Sequence, residues 1–354
     1  MKEYVNIYKA ELKGFQLCKY FEVVKMSERK WYKGDTHLHT TNSDGILTKA
    51  ELIDKCKESG LDFMIITDHN FNSVEESYYD GDMLVIQGQE ITGDNGHVNI
   101  WGVKVPLEPP YALDSEEDYE KIIEACRNAG ATVSLNHPFC SQCGFRIDID
   151  DLYCDCVEVW NTVQHTDNMV NRDWWVKQLL SGRRIAAVGG SDFHREYVPG
   201  VQLILASPTT IVLAEDKTPE AILKAMREGR SVITNSPKST MIELTCGSAV
   251  IGDTVEFKPG TEVSVTVTKL RAHHTVTVYN NEKPIYTFKS GAKSHKAYSF
   301  TCEVEEKGFV RVEITYEYKG ALKKLYKTVE SKFLNCDREM TPFIRAFTNP
   351  IWFE

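Results

Sequence analysis

From Trp31 to about Val212, short apolar runs alternate with segments of helical period. The run LDFMIITDHN (61–70) predicts a buried strand that ends in polar residues. Ahead of it, Leu47, Leu52, Ile53 and Cys56 fall near helical spacing, with Thr48 as the expected N-cap and Gly60 as the stop. The same alternation predicts strands over 82–90, 131–138, 156–161 and 184–194, and helices over 115–130 and 167–182. Strand, helix and strand in repetition imply an α/β unit with a parallel sheet, either a barrel or a doubly wound sheet. TPEAILKAMREGRSVITNSP (218–237) reads as the last helix and strand of that unit. Beyond it, SVTVTKL, TVTVYNN, AYSFTCEVEE and FVRVEITYEYKG alternate apolar with polar between turn-like clusters. That is the pattern of an antiparallel sheet with one wet face, as in a β-sandwich. The expected organisation is an N-terminal strand segment over 1–30 packing on the rest, an α/β unit over 31–236, and a β-sandwich-like domain over 237–354.

The 354 residues are enough for two domains with ample cores. Lys plus Arg number 41 against 51 Asp plus Glu, a net charge of −10. A duplex-binding protein usually carries a basic surplus, so stable nucleic-acid binding is not expected. A small anionic substrate remains admissible where local cations, such as metals, neutralise it. The first residues hold no uncharged run of signal-peptide length, and no stretch approaches the roughly 20 apolar residues of a membrane span. With ten cysteines and no signal, reduced thiols are the default. The expectation is a soluble cytoplasmic protein with no membrane partner; oligomeric state stays open.

The residues able to carry chemistry fall at the C-terminal ends of the predicted strands. His37 and His39 stand at i and i+2, on one side of a strand. Asp44 follows in a turn, and Asp68 and His69 end the next strand. Glu90 ends another, His97 follows a Gly-Asp-Asn-Gly turn, and His137 precedes Pro138. Asp192 and His194 again stand at i and i+2, after Gly189-Gly190. Parallel α/β barrels carry their sites at this face, where loops from several strands converge. A lone buried histidine more often hydrogen-bonds a carbonyl than binds a metal. Six of ten histidines in register with strand ends reverse that balance. Imidazole and carboxylate ligands suit zinc, manganese or iron, whereas calcium and magnesium prefer oxygen. Nine candidate ligands exceed what one ion takes, so more than one is implied.

HLHTTNSDG, ITDHN, GQEIT, NHPF and GGSDFH resemble, in order and spacing over roughly 33–235, the motifs of the PHP (polymerase and histidinol phosphatase) superfamily. The resemblance implies a distorted (β/α)7 TIM-like barrel with a centre of two or three divalent ions. By the same resemblance His37, His39, Glu90 and Asp192 hold one ion. Glu90 bridges to a second with His97 and His137, and Asp44, His69 and His194 hold a third. GRSVITNSP, IGDTVEF and FTNPIWF also resemble members with an appended β-sandwich, some similar to a carbamate insecticide hydrolase. The implied activity is a phosphoesterase that cleaves a small phosphomonoester or phosphodiester with hydroxide held by the metals, its water acidified toward about pH 7. A carboxyl or carbamate ester hydrolase using the same centre is the alternative. A non-catalytic binding protein is a third reading, which the cost of burying nine polar residues together disfavours.

Glu90, His194 and Asp68 are the candidate catalytic residues, Asp68 as an acceptor that orients a ligand rather than a ligand itself. Arg146, His165 and Arg195 follow strand-end motifs and could grip a phosphate or donate a proton; a solvated loop position is the plainer reading. Asn161 ends the CVEVWN strand and is a further candidate for substrate contact. Cys140 and Cys143 form a CxxC, and Cys154 and Cys156 a CxC, which could make a structural zinc site. The short spacing, and a core-facing Cys156, favour free thiols. Trp174 and Trp175 read as core, and His273, His274 and His295, outside every motif, as surface.

Overall fold

The computed structural model describes residues 29–196, 204–339 and 341–354, so the expected N-terminal strand segment falls almost wholly outside the described residues. The first half runs β1 (Lys30–Asp35), α1 (Lys49–Ser59), β2 (Phe63–Ile65), β3 (Tyr78–Asp80), β4 (Met83–Ile86), β5 (Gly88–Gly93), β6 (Gly96–Trp101), α2 (Glu116–Asn128), β7 (Thr132–Leu135), β8 (Cys156–Asn161), α3 (Thr166–Leu180), β9 (Ala186–Gly190), β10 (Thr209–Ala214), α4 (Pro219–Arg227) and β11 (Ser231–Thr234). The second runs β12 (Met241–Cys246), β13 (Ala249–Val250), β14 (Thr254–Val255), β15 (Glu262–Leu270), β16 (Thr275–Asn280), β17 (Lys283–Lys289), β18 (His295–Glu303), β19 (Gly308–Tyr316), α5 (Gly320–Phe333), β20 (Phe343–Thr348) and β21 (Ile351–Phe353). The fold is mixed α/β, rich in strands. Among the described residues no helix is long and apolar enough to cross a membrane.

Local chemistry explains the helix limits. Thr48 accepts from the Glu51 amide while Glu51 reaches back to the Thr48 amide, a reciprocal cap on two otherwise orphaned donors. Gly60, at φ 81°, ends α1 in the left-handed region that a side chain would disfavour. Ser115 and Asp118 repeat the reciprocal cap on α2.

β1, β2 and β4 are parallel neighbours. β7, β8 and β9 are likewise parallel, and the antiparallel β5–β6 hairpin joins them through β6. Two isolated parallel bridges, Leu38 with Phe193 and His69 with Glu90, tie these two sheets together just beyond the ends of β1 and β2. The strand ends that carry the candidate residues therefore face one another.

The switch in hydrophobic pattern near residue 236 is not a break in hydrogen bonding. β11 pairs antiparallel with β20, so one sheet runs from β1 through β10 and β11 into β20, β19 and β21. A separate four-stranded sheet holds β13, β12, β15 and β18. Along β15, Val263, Val265 and Val267 are buried while Glu262 and Ser264 are exposed, and those valines share one core cluster with Val276 of β16 and Val312 of β19. Asn349, fully buried, fastens the C-terminal segment to the first half. Its Oδ1 accepts from the Ala187 amide at 2.7 Å, and its Nδ2 donates to Ala187 O and Ser231 Oγ at 2.9 and 2.8 Å.

Helix α5 has no counterpart among the sequence expectations, and its start carries no side-chain cap to announce it. It docks through buried Glu330, which accepts from the Thr166 amide at 2.7 Å and supplies the cap that His165 does not give to α3. Trp174 and Trp175 are buried as expected, whereas His274 is only 7% exposed, a correction to its reading as a surface residue. The β15–β16 turn folds back beneath Ser290, whose hydroxyl accepts from the His274 amide.

Candidate metal centre

All nine candidate ligands meet at the mouth formed by these strand ends. Glu90 lies at the middle, fully buried. Its Oε1 is 3.3 Å from His37 Nε2, 3.1 Å from His97 Nδ1 and 3.5 Å from His137 Nε2. Its Oε2 is 2.8 Å from His69 Nδ1 and 3.6 Å from His39 Nε2. Asp192 Oδ1 stands 3.4 Å from His37 Nε2, 3.1 Å from His39 Nε2 and 3.5 Å from His194 Nδ1. Asp44 Oδ1 lies 3.1 Å from His194 Nε2 and 3.5 Å from His69 Nε2. The donors form overlapping groups of metal-site size: His39, Asp44, His69 and His194; His37, His39 and Asp192; His37, His137 and Glu158; Glu90, His97 and His137. His37, His39 and His137 form the closed floor, while His69, His97 and His194 stay partly exposed at the rim.

The electrostatics are those of a site that wants positive charge. Burial pushes the Glu90 carboxyl up, but His37 and His97 outweigh it and hold it well below the usual carboxylate range. Asp192 is likewise held far down against burial, chiefly by His37 and His39. Burial opposes charge on His137, yet a hydrogen bond to Glu90 and the fields of Asp192 and Glu158 raise it to about 9. His39 goes the other way: burial drops it to about 4. Several of these close approaches are not aligned as hydrogen bonds: His37 Nε2, both ring nitrogens of His39, and Glu90 Oε2 are buried without one. Such orphans are costly unless something compensates them, and imidazole with carboxylate is the donor set of zinc, manganese or iron. The residues present fit divalent cations.

The backbone pays for this convergence. His137 and Asp192 adopt positive φ of 30° and 51°, uncommon for residues with a side chain and concentrated at functional sites. Gly190 leaves room for the pair beneath them, since a Cβ there would lie 2.3 Å from Glu158 Oε1 and 2.4 Å from His37 Cβ.

Two acids escaped the sequence reading. Glu158, in the middle of β8, is 1% exposed; its Oε1 is 3.0 Å from His37 Nδ1, and its Oε2 accepts from the His137 amide at 3.2 Å and Asn161 Nδ2 at 2.9 Å. An acid inside the apolar run CVEVWN was the available signal. Asp35 accepts from the Ser191 and Ala206 amides, both at 2.9 Å, and joins the end of β1 to the loop after β9. Burial raises its carboxyl to about 6.

The remaining candidates divide. Asp68 is buried and accepts from Thr40 N, Thr40 Oγ1 and Ser43 Oγ, each at 2.6 Å, and from Ser73 Oγ, so it organises the loop after His39. Asn161 reaches Asp192 Oδ2 at 3.3 Å. His165 is 5% exposed, with Nδ1 unpartnered, and burial lowers it to about 4. Arg146 and Arg195 are exposed and stand outside the ligand groups. Cys140 and Cys143 sulfurs lie 3.2 Å apart, and Cys143 Sγ is 3.6 Å from His137 Nδ1. Cys154 and Cys156 sit in two different core clusters, and none of the four thiols enters a metal-sized group among the described residues.

No family model matches the chain. Over 109 residues, 30% of this chain, it is 28% identical to the DNA polymerase/3'-5' exonuclease PolX of Bacillus subtilis, and it spans 19% of that relative's length. Among solved structures, a two-domain protein containing a predicted PHP-like metal-dependent phosphoesterase from Bacteroides vulgatus is 18% identical, with a TM-score of 0.46 over 85% of this chain and 95% of that one. The chain resembles PHP-like proteins. The lesion-specific endonuclease PfuEndoQ from Pyrococcus furiosus, 14% identical, gives a TM-score of 0.41 over 62% of this chain and 63% of that one. Each PHP-like motif holds residues of the cluster: HLHTTNSDG His37, His39 and Asp44, ITDHN His69, GQEIT Glu90, NHPF His137, and GGSDFH Asp192 and His194.

Proposed function

We propose that this chain is a metal-dependent phosphoesterase acting on a small phosphomonoester or phosphodiester, built as a distorted (β/α)7 barrel over 31–236 followed by a β-sandwich-like domain over 237–354. The observation that carries the reading is the convergence of six imidazoles, three of them buried, on Glu90 and Asp192, with buried polar atoms left without a hydrogen bond. His37, His39, Glu90 and Asp192 would hold one divalent ion of zinc, manganese or iron. Glu90, His97 and His137 would hold a second, and Asp44, His69 and His194 a third. Ions held there would acidify a water and offset the charge of phosphate oxygens, and clustered dications suit a dianionic ester better than a neutral one.

The chain's own side chains do the positioning. Glu158 orients His37 and supports the backbone of His137, and Asn161 steadies Asp192. Asp68 acts through the 40–43 loop rather than on substrate. Glu90 and His194 stand among the reacting groups. His165, neutral at the N-cap of α3, is assigned a substrate contact, with the exposed Arg146 and Arg195 as further candidates.

The test is nitrophenol release from a phosphate monoester, a phosphate diester and a carboxylate ester, on manganese-loaded protein with a chelated control. Chelator-sensitive release from a phosphate supports the proposal. Release from the carboxylate ester alone overturns it in favour of an ester hydrolase on the same centre.

A further inference from the structure

A second cavity, of about 460 Å³, lies among residues far in the chain from the metal ligands. It is bounded by the β11–β12 turn, the β15–β16 turn and the ends of β19 and β20. Its charged lining is Arg271 and Arg345, and no carboxylate lines it. That is notable in a chain of net charge −10.

Arg345 is half-buried and spends its guanidinium on neutral oxygens, Tyr318 Oη at 2.6 Å and Asn235 Oδ1 at 3.4 Å. It also lies 5.5 and 5.6 Å from the ring centres of Tyr318 and Tyr316. His274 lines the same cavity, is 93% buried by the complement of its 7% exposure, and leaves Nδ1 without a partner. Burial first, then the charges of Arg345, Arg271 and His273, hold its imidazole down at about 4, with no acid opposing them. His273 adopts φ 63°, a left-handed conformation of the kind that clusters at ligand sites. A neighbouring cavity of about 350 Å³ shares Ser239 and Arg271 and adds Lys238, Lys269 and Lys296, again without a carboxylate.

Cations gathered without counter-charge set up a positive local potential that attracts anions. Two guanidinium forks match the tetrahedral, multi-oxygen face of phosphate. The volume falls in the ordinary range of small-ligand sites. We propose that this cavity binds a phosphate-bearing small molecule, with Arg271 and Arg345 on the phosphate oxygens. The site is independent of the metal centre and of the activity proposed for it.

The experiment is calorimetry on the full chain in excess chelator, with inorganic phosphate, adenosine monophosphate, acetate and a short single-stranded oligonucleotide as separate probes. Phosphate or the mononucleotide should bind, and comparison of the two tells whether more than the phosphoryl group is recognised. Arg271→Gln and Arg345→Gln should each weaken that binding about tenfold, the loss of one charge-assisted bond, whereas His39→Gln in the metal centre should not. Arg271 is exposed, so its variant tests the site even where Arg345→Gln perturbs folding. Absent binding, binding lost with His39→Gln and kept with Arg271→Gln, acetate binding as tightly as phosphate, or binding of the oligonucleotide alone would each overturn the proposal.

Discussion

Glu158→Gln tests how the centre is held. The carboxylate is 1% exposed and meets three nitrogens: His37 Nδ1, the His137 amide and Asn161 Nδ2. The amide keeps the volume but has one acceptor oxygen, so its NH2 must turn toward one of those nitrogens. Exchanging a charged acceptor for a neutral one costs about 1–2 kcal/mol, and a buried donor left facing another adds to it. The sum is about 2 kcal/mol, roughly 30-fold in affinity for the ion held through His37, within the roughly 10–100-fold typical when a group behind a metal ligand is lost. Affinity would be read by titration against a competing chelator, with circular dichroism to show that the variant is folded. A folded Glu158→Gln protein binding metal within about twofold of the parent would refute the assignment of Glu158 as the support of His37.

Asp192→Ala should lose metal and turnover together, and unchanged turnover would remove the metal reading of the cluster. Asn349→Ala should destabilise the fold by about 3 kcal/mol in urea titration, because it strands several buried backbone groups at once; a loss under about 1 kcal/mol would show that β9 and β11 do not depend on it. His274 is lowered from 6.5 to about 4 when folded, so the unfolded chain takes up its proton first. Its contribution is therefore intact above 6.5 and is lost as pH falls toward 4. His274→Gln should flatten that part of the stability profile measured by thermal unfolding, and an unchanged slope would contradict it. Alkylation of the native protein should label Cys140 and Cys143, with Cys154 and Cys156 protected whether or not chelator is present; chelator-dependent labelling of all four would restore a zinc site.

What the sequence determined by itself was local. Helical period and reciprocal caps placed α1 and α2, and apolar runs ending in His, Asp or Glu placed the site at the strand ends, because both signals are written within a few residues. The nine candidate ligands could be named for the same reason: each stands beside the polar end of an apolar run or in a turn, although Glu90 proves to lie within β5 and His97 near the start of β6. Tertiary structure alone decided the rest. Glu158 sits 121 residues from His37 along the chain, and nothing local to either predicts their contact. Helix α5 starts without a cap and gains its place from Glu330 docking on α3, 164 residues away. The change of pattern near 236 reads as a domain edge, yet β11 finds its partner in β20, because a strand's period shows which face is buried and not which strand lies beside it. His274 reads as surface since no motif surrounds it; the return of the chain through Ser290 buries it beside Arg345, which is distant in sequence. Periodicity records burial one element at a time, whereas charge partners are chosen when distant elements pack, and that choice exists only in the folded chain.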